Sequence, residues 1–235
     1  MKNDSRAENP ARQAWQKGQK KKSHFLSPRK AQGVIQTESG LEASFAFGCD
    51  LHPKVKAIRP QPCTFDLKSG RSYATKAELI NKFKGTGYRP KPYTPDFEVH
   101  CFGGRKLYVE VRHSRLLQRN DRTLLLPGIF KALGLELLII TDQFLTRDLV
   151  HNIRSLHPYL RTSLSDGFLD ALSSVGEQSF RLEWLLASLG CRQEDLLSSI
   201  VSGYVAVDFR AGMLRPKSIG RVSRGDTSYL EVFPL

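Results

Sequence analysis

The sequence predicts an α/β fold: a mixed sheet flanked by helices, followed by a mainly helical module. Alternating apolar and polar residues at 97–101 and 107–112, separated by a Gly-Gly turn, indicate a β-hairpin. The nearly continuous apolar segment 135–141 is typical of a strand that is covered on both faces. Beyond residue 157 the pattern changes to short helical segments with glycines at two of their ends, which indicates a separate module.

Charge is the most unusual property of this 235-residue chain. Its formal net charge is +13, which favours a phosphate-rich partner. Residues 1–33 contain nine Lys or Arg against two acids, including Lys20, Lys21 and Lys22. We expect this segment to form a flexible basic arm, which either docks on nucleic acid or only keeps the chain soluble.

Several classes of protein are disfavoured by the composition. Four cysteines without a Cys-x-x-Cys pair argue against a zinc site or a disulfide framework. The six histidines have no metal-ligand spacing, and the sequence lacks a phosphate-binding loop pattern. It also lacks a signal peptide and a run of about eighteen apolar residues. We therefore expect a soluble cytoplasmic protein without a membrane partner.

A helix begins the predicted core. Leucine and phenylalanine four residues apart predict a helix over 37–47. Glu42 lies at the edge of its apolar face, where it either completes a capping box with Ser39 or directs a carboxylate toward the hairpin. Short strands are predicted at 55–58 and 63–67.

A basic insertion follows at 68–91, with seven Lys or Arg against one Glu. It contains a predicted helix at 75–83 and a glycine-rich end. We expect this end to be mobile and to close on a duplex backbone. Its candidate phosphate contacts are Lys84, Arg89 and Lys91.

The hairpin carries the candidate site. Pro95 keeps Thr94 extended, so Asp96 stands at the start of the first strand. Glu110 and Arg112 share one face of the second strand because they are two residues apart. Two carboxylates and a permanent cation at one hairpin end suit a hard divalent ion and a phosphate. An ordinary cross-strand ion pair on a surface hairpin is the alternative.

The remaining core elements are two helical segments on either side of the buried strand. The first, at 114–133, is interrupted by a proline and carries Arg115 as a candidate DNA contact. The second is predicted at 144–156. Together these elements give a catalytic core with expected bounds 34–157.

The last segment, 158–235, is predicted to be a winged-helix-like domain that binds DNA or a partner. Its predicted elements are helices at 164–174, 180–189 and 193–201 and strands at 204–209 and 229–233. Three helices followed by a basic two-stranded wing favour DNA contacts through Arg215, Lys217 and Arg221. An extension that only packs on the core or on a partner is the alternative.

Five short motifs in this order resemble the TnsA family, the endonuclease subunit of heteromeric cut-and-paste transposases. They are Glu-Ser-Gly-Leu-Glu ending at Glu42, Gln-Pro at 61–62, Tyr-Thr-Pro-Asp-Phe around Asp96, Val-Glu-Val-Arg at 109–112 and Leu-Ile-Ile-Thr-Asp ending at Asp142. The hairpin also resembles the Pro-Asp…Glu-x-Lys signature of restriction-endonuclease-like nucleases. The resemblance implies that fold for the core.

The resemblance also implies a site and a reaction. Glu42, Asp96 and Glu110 would frame a Mg²⁺ site, with the carbonyl of Val111 as a further ligand and Mn²⁺ as a substitute ion. The substrate would be double-stranded DNA at transposon ends, cut at the 5′ ends. A TnsB-like DDE transposase would cut and join the 3′ ends, and a TnsC-like AAA+ regulator would complete a nucleoid-associated complex in a bacterium.

Arg112 departs from the family pattern, which usually has Lys at this position. Arginine cannot act as a general base because its pKa is above about 12. It can hold a phosphate through two hydrogen bonds, and Lys91 or Lys106 could supply an amine instead. The main hypothesis is a magnesium-dependent endonuclease, and the alternative is a weak or inactive nuclease fold that binds DNA as an assembly subunit. A stand-alone restriction enzyme or junction resolvase would share the core.

Overall fold

A computed structural model of the protein describes residues 6–11, 23–119, 121–176 and 178–235. Lys20, Lys21 and Lys22 lie outside these ranges. The helices are α1 (Gly40–Leu51), α2 (Lys76–Lys82), α3 (Ser114–Arg119), α4 (Asp121–Leu124), α5 (Leu126–Ala132), α6 (Arg147–Leu156), α7 (Asp166–Ser173), α8 (Leu182–Leu189) and α9 (Gln193–Val201). The strands are β1 (His24–Leu26), β2 (Ile35–Thr37), β3 (Val55–Pro60), β4 (Thr64–Asp66), β5 (Ser72–Tyr73), β6 (Pro92–Tyr93), β7 (Phe97–Cys101), β8 (Lys106–Arg112), β9 (Leu137–Thr141), β10 (Phe180–Arg181), β11 (Val205–Val207) and β12 (Ile219–Val222). Within the described ranges, no helix is long and apolar enough to cross a membrane.

The chain divides into two compact units. The first comprises 55–145 and the described residues up to 46, and the second comprises 47–54 and 146–235. This division differs from the expected boundary at 157. The helix α6 packs against α9 and the 3-10 helix His157–Arg161, so it belongs with the C-terminal elements.

A four-stranded mixed sheet with helices on both faces forms the first unit, as the α/β prediction requires. Its order is β3-β7-β8-β9, with β8 antiparallel to β7 and parallel to β9. On one face the ring of Phe45 in α1 lies 5.2 Å from Phe97. On the other face Phe130 of α5 lies 5.6 Å from Tyr108. The polar residues of the hairpin share the second face because side chains alternate along a strand.

A small second sheet, of order β5-β4-β6, holds the basic insertion. Both ends of the insertion are bonded to Asp66. The Asp66 carboxylate accepts hydrogen bonds from the amide of Lys68, at the start of the insertion, and from the amide of Lys91, at its end. It also accepts the hydroxyls of Ser69 and Tyr88 at 2.7 and 2.6 Å. We call residues 68–91 the finger; its helix α2 falls within the predicted range 75–83.

The described parts of the predicted arm 1–33 also differ from a flexible tail. Ala11 is buried, its amide donates to the Gln61 carbonyl, and its carbonyl accepts the Lys76 amide at 3.0 Å. Glu8 pairs with Arg59 at 2.6 Å. The short strand β1 pairs with β2, which leads directly into α1. These segments are therefore packed on the first unit.

The second unit contains α6 to α9 and an antiparallel sheet of order β10-β12-β11. The predicted strand at 229–233 was wrong: residues Ser228–Leu230 form a 3-10 helix. Its alternation reflects the burial of Leu230 and Val232 in the core, a pattern that does not require a strand. The strand that pairs with β11 is β12, and it contains Arg221.

Two helix starts differ from the sequence prediction for local reasons. The helix expected from 144 begins at Arg147, because Thr146 caps it by accepting the Leu149 amide on its side chain. The helix expected from 37 begins at Gly40 and continues to Leu51, because the preceding residues pair as β2.

Candidate active site

Asp96 lies at the end of the hairpin, where a proline interrupts the pairing of β7 with β8. The register of Phe97 opposite Val109 places Pro95 opposite Val111. Proline has no N–H to donate to the Val111 carbonyl. The Val111 amide instead donates to Asp96 Oδ2 at 2.8 Å. Because the amide and carbonyl of a strand residue face the same neighbour, the Val111 carbonyl also lies on the Asp96 side.

Glu110, on β8, is buried, and its donors include Arg112 and Tyr93. Its side chain Oε1 lies 2.7 Å from Nη2 of Arg112, whose side chain is 44% exposed. Its Oε2 accepts the Tyr93 hydroxyl at 2.8 Å. Burial raises the pKa of Tyr93, and the charge of Glu110 raises it further, so Tyr93 stays a hydrogen-bond donor. The sequence reasoning did not assign Tyr93 a role, although it lies three residues before Asp96 in the motif.

The side chain of Glu42 bonds to the residues that precede α1, as the capping interpretation predicts. Its Oε1 accepts the Ser39 hydroxyl and its Oε2 accepts the Glu38 amide, each at 2.8 Å. Its own amide donates to Ser39 Oγ at 3.2 Å, so the two side chains cap the start of α1 in a variant of the capping box that bonds the Glu38 amide. The charge of Glu42 also raises the pKa of Asp96. The cap therefore does not remove this carboxylate from the site.

The electrostatics of the site favour a cation. Burial raises the pKa of Asp96 well above its ordinary value, and the charges of Glu110 and Glu42 raise it further. The amide of Val111 and the charge of Arg112 act in the opposite direction. Three carboxylates from three separate elements thus share one neighbourhood.

The donor set is chemically suited to Mg²⁺, which takes oxygen ligands. As the side chains lie, no three His, Cys, Asp or Glu residues of the described ranges converge into a ready-made ion cage. Glu42 and Glu110 are each held by protein donors instead. Ion binding at this place would require Glu110 to exchange at least part of its bonding with Arg112.

Gln61 holds the backbone of Asp96 in place. The sequence identified it only as part of the Gln-Pro motif and predicted no role for it. Its backbone is left-handed, with φ of 43°, and it is 4% exposed. Its amide donates to the Asp96 carbonyl at 2.9 Å, and its Nε2 lies 3.4 Å from Oε1 of Glu38. Among the described residues its Oε1 has no hydrogen-bond partner. A left-handed backbone at a residue other than glycine is strained. Such a conformation persists only where surrounding contacts impose it, and it is concentrated at functional sites.

The candidate phosphate contacts of the first unit are exposed. Lys84, Arg89 and Lys91 are exposed on the finger, and Arg115 is exposed on α3. The start of α3 is fixed by Asp142, which accepts the Ser114 amide at 2.6 Å. Arg215, Lys217 and Arg221 are exposed on the second unit.

Lys106 does not replace a catalytic lysine. It begins β8, whereas Arg112 ends it, so about 20 Å separates their backbones. Its Nζ lies 3.5 Å from Oε2 of Glu98 and 5.4 Å from the centre of the Tyr108 ring. The proposal that Lys106 supplies a migrated amine was therefore wrong. Arg112 is the cation in contact with the site.

At the hairpin end, carboxylates share a buried neighbourhood and the guanidinium of Arg112 lies at its exposed rim. No protein-family model matches the chain, and no curated protein matches it. The assignment of a function therefore depends on the chemistry of these side chains.

Proposed function

We propose that the protein is a magnesium-dependent DNA endonuclease, the subunit of a heteromeric transposase that hydrolyses the phosphodiester at the 5′ ends of a transposon. One observation carries this proposal. Carboxylates from α1, from the start of β7 and from β8 share a buried neighbourhood, and Arg112 stands at its rim. This donor set is the one that a magnesium-assisted phosphodiester hydrolysis needs.

The order of the elements supports a restriction-endonuclease-like core. A helix, α1, precedes three antiparallel strands, β3, β7 and β8; the helix α5 then leads to β9, which is parallel to β8. The second unit supports a winged-helix assignment in the same way, because the elements that follow α6 have the order α7-β10-α8-α9-β11-β12, with β12 central in the sheet.

In this proposal each residue has a distinct task. Asp96, Glu110 and Glu42 would hold Mg²⁺, together with the carbonyl of Val111. The ion, when bound, activates water and offsets the charge that develops on the phosphate. Arg112 leaves Oε1 of Glu110 and binds phosphate oxygens with its planar guanidinium, as a permanent cation and not as a base.

Two further residues orient these groups. Tyr93 donates to Oε2 of Glu110 and fixes the direction of that carboxylate. Gln61 donates its amide to the carbonyl of Asp96 and fixes the backbone at the end of β7. The basic finger, which contains β5 and α2, ends at β6 with Tyr93. The lysines of the finger and the candidate site thus lie in the same unit. A duplex whose phosphates contact these lysines would be bound by the unit that carries the site.

The test is strand cleavage of a duplex that carries a labelled transposon end, with the cognate transposase and Mg²⁺ present. We expect wild type to cut the 5′ strand and both Asp96→Asn and Glu110→Gln to lose cleavage. Glu98→Gln is the matched control, because Glu98 is a buried carboxylate on β7, two residues after Asp96, and pairs with His100 at 2.6 Å. It should keep cleavage. Normal cutting by Asp96→Asn would refute the proposed site.

The second candidate function is a DNA-binding assembly subunit with an inactive nuclease fold. The pairing of Arg112 with Glu110 at 2.7 Å favours it, because this bond competes with an ion for the carboxylate. In the same assay, a silent wild type and an active Arg112→Lys variant would identify this case.

A further inference from the structure

The helix α9 of the second unit is packed in a way that prevents it from reading DNA. All six residues Leu196–Val201 of α9 are buried, including Ser198 and Ser199. They pack against α6, α8, β11 and the 3-10 helix His157–Arg161. The exposed start of α9 is acidic, with Glu194 and Asp195 both near Arg192. A helix that enters the major groove must expose side chains to base edges and tolerate phosphates.

The turn between β11 and β12, by contrast, is basic and preformed. The Arg215 amide donates to Ser218 Oγ, and the Ser218 amide donates to the Arg215 carbonyl, each at 2.9 Å. The carbonyls of Pro216 and Ser218 accept the amides of Glu183 and Leu182. The turn is thereby bonded to the first residues of α8.

Asn152, on α6, fixes the other half of the same connection. It is fully buried, and its Nδ2 donates to the carbonyls of Phe209 and Gly212 at 3.2 and 2.9 Å. Its Oδ1 accepts the amide of Leu214 at 2.7 Å. One side chain thus satisfies three backbone groups of the segment that leads into the basic turn.

The exposed side of this structure is cationic. Arg215 and Lys217 are exposed on the turn, and Arg221 is exposed on β12, on the same face as the exposed Ile219. Asp208, at the start of the connection, accepts the amides of Arg210 and Ala211 on its carboxylate. Phosphates are the complementary partner for such a surface.

We propose that the second unit binds duplex DNA through the turn 215–218 and the exposed face of β12, and not through α9, with Asn152 as a positioning residue. The choice of DNA as the partner rests on the proposed function. Hydrogen bonds to Asn152 and to the start of α8 already order the segment between β11 and β12 before DNA binds. Little conformational entropy is therefore lost when this segment contacts the phosphates. The contacts are to the backbone, so binding by this unit is strongly salt-dependent and weakly dependent on sequence.

The test is the affinity for a fluorescent duplex, measured by anisotropy in EDTA at several salt concentrations. Lys217→Gln and Arg221→Gln should each lower the slope of log K against log salt by about 0.9, and the affinity at 0.1 M salt by roughly eightfold. Arg192→Gln is the matched control, since it removes the same charge from the start of α9. It should change affinity less than about twofold. A loss with Arg192→Gln and none with Lys217→Gln would overturn the proposal, as would wild type that fails to bind.

Asn152→Asp places a carboxylate against two carbonyls and should release the connection. At a temperature well below its melting temperature, the folded variant should bind the duplex more weakly than wild type. Its effect on the binding free energy should not add to that of Lys217→Gln, because both substitutions act through the same turn. Additive effects would contradict the positioning role. If Asn152→Asp does not fold, Ser218→Ala removes the hydroxyl acceptor of the Arg215 amide and serves the same purpose.

These outcomes separate the binding surface from the catalytic proposal. If Lys217→Gln weakens binding while wild type with its transposase never cuts, the surface stands and the endonuclease proposal fails. If wild type cuts in Mg²⁺ and Lys217→Gln binds normally in EDTA, the endonuclease proposal stands and the surface is elsewhere.

Discussion

Replacing Asp66 by Asn should loosen the finger and make its stability less dependent on pH. Oδ1 of Asp66 accepts two amides, from Lys68 and Lys91, and Oδ2 accepts two hydroxyls, from Ser69 and Tyr88. An Asn side chain keeps the shape but presents an NH₂ group to one of these pairs of donors. If the NH₂ group faces the hydroxyls of Ser69 and Tyr88, they can accept from it but lose their bonds to a charged oxygen; if it faces the amides of Lys68 and Lys91, both amides lose their acceptor.

The magnitude follows from the pKa of Asp66. Burial alone would raise it, but the bonds from Tyr88, Ser69, Lys91 and Lys68 outweigh burial and lower the pKa from 3.8 to about 2. This difference corresponds to about 2 kcal/mol of folding free energy, and solvent around the finger reduces it to about 1–2 kcal/mol. Because the folded pKa is the lower one, the stabilisation is present above about pH 4 and lost as pH falls toward 2. About 1 kcal/mol should be lost by about pH 3.

The assay is native-state hydrogen exchange of the Lys91 amide, compared between wild type and Asp66→Asn at pH 5 and pH 3. At pH 5 the variant should be less protected by about 1–2 kcal/mol. The difference should shrink toward pH 3, because Asp66 of the opened wild type then takes up a proton while the folded form stays mostly ionised, which lowers the free energy of opening. Tyr88→Phe, which keeps the carboxylate, should show a smaller loss. Equal protection at pH 5, or a difference that does not change at pH 3, would refute the anchoring role of Asp66.

Three further predictions concern packing and the site. Gly220→Ala should destabilise the second unit by about 1–3 kcal/mol in urea unfolding, because a Cβ at this position would lie 2.9 Å from Leu182 Cδ2. Gly128→Ala in α5 is the control: its Cβ would meet no atom within 4 Å, so it should not destabilise the first unit. Tyr93→Phe should raise the Mg²⁺ concentration for half-maximal cleavage by roughly fivefold, because Glu110 loses one donor, with little change in melting temperature. In the same assay Arg112→Lys should lower the cleavage rate, because an ammonium group cannot bind a phosphate bidentately as a guanidinium does; a higher rate would show that an amine is required.

The hairpin and its polar face were predictable because they depend on neighbouring residues. Alternation with period two decides which side chains share a face, and Pro95 keeps the residue before it extended. The capping box of Ser39 and Glu42 is a local pattern of the same kind. For this reason the sequence predicted that Asp96 and Glu110 would approach each other.

The contacts of Tyr93 and Gln61 were not predictable in this way. Tyr93 reaches Glu110 because β6 pairs with β4 and brings its ring over the central sheet. Gln61 adopts a positive φ that nothing in a Gln-Pro dipeptide requires. Both arise from contacts between segments that are distant in sequence.

Local periodicity and composition are enough to predict the α/β core, the hairpin, the charge and the order of the helices. Contacts between distant segments, in contrast, place α6 in the second unit, pair β12 and not 229–233 with β11, and bury α9. An apolar alternation shows which side chains avoid water, but it does not show which element covers them. That element is chosen by packing between elements far apart in the chain.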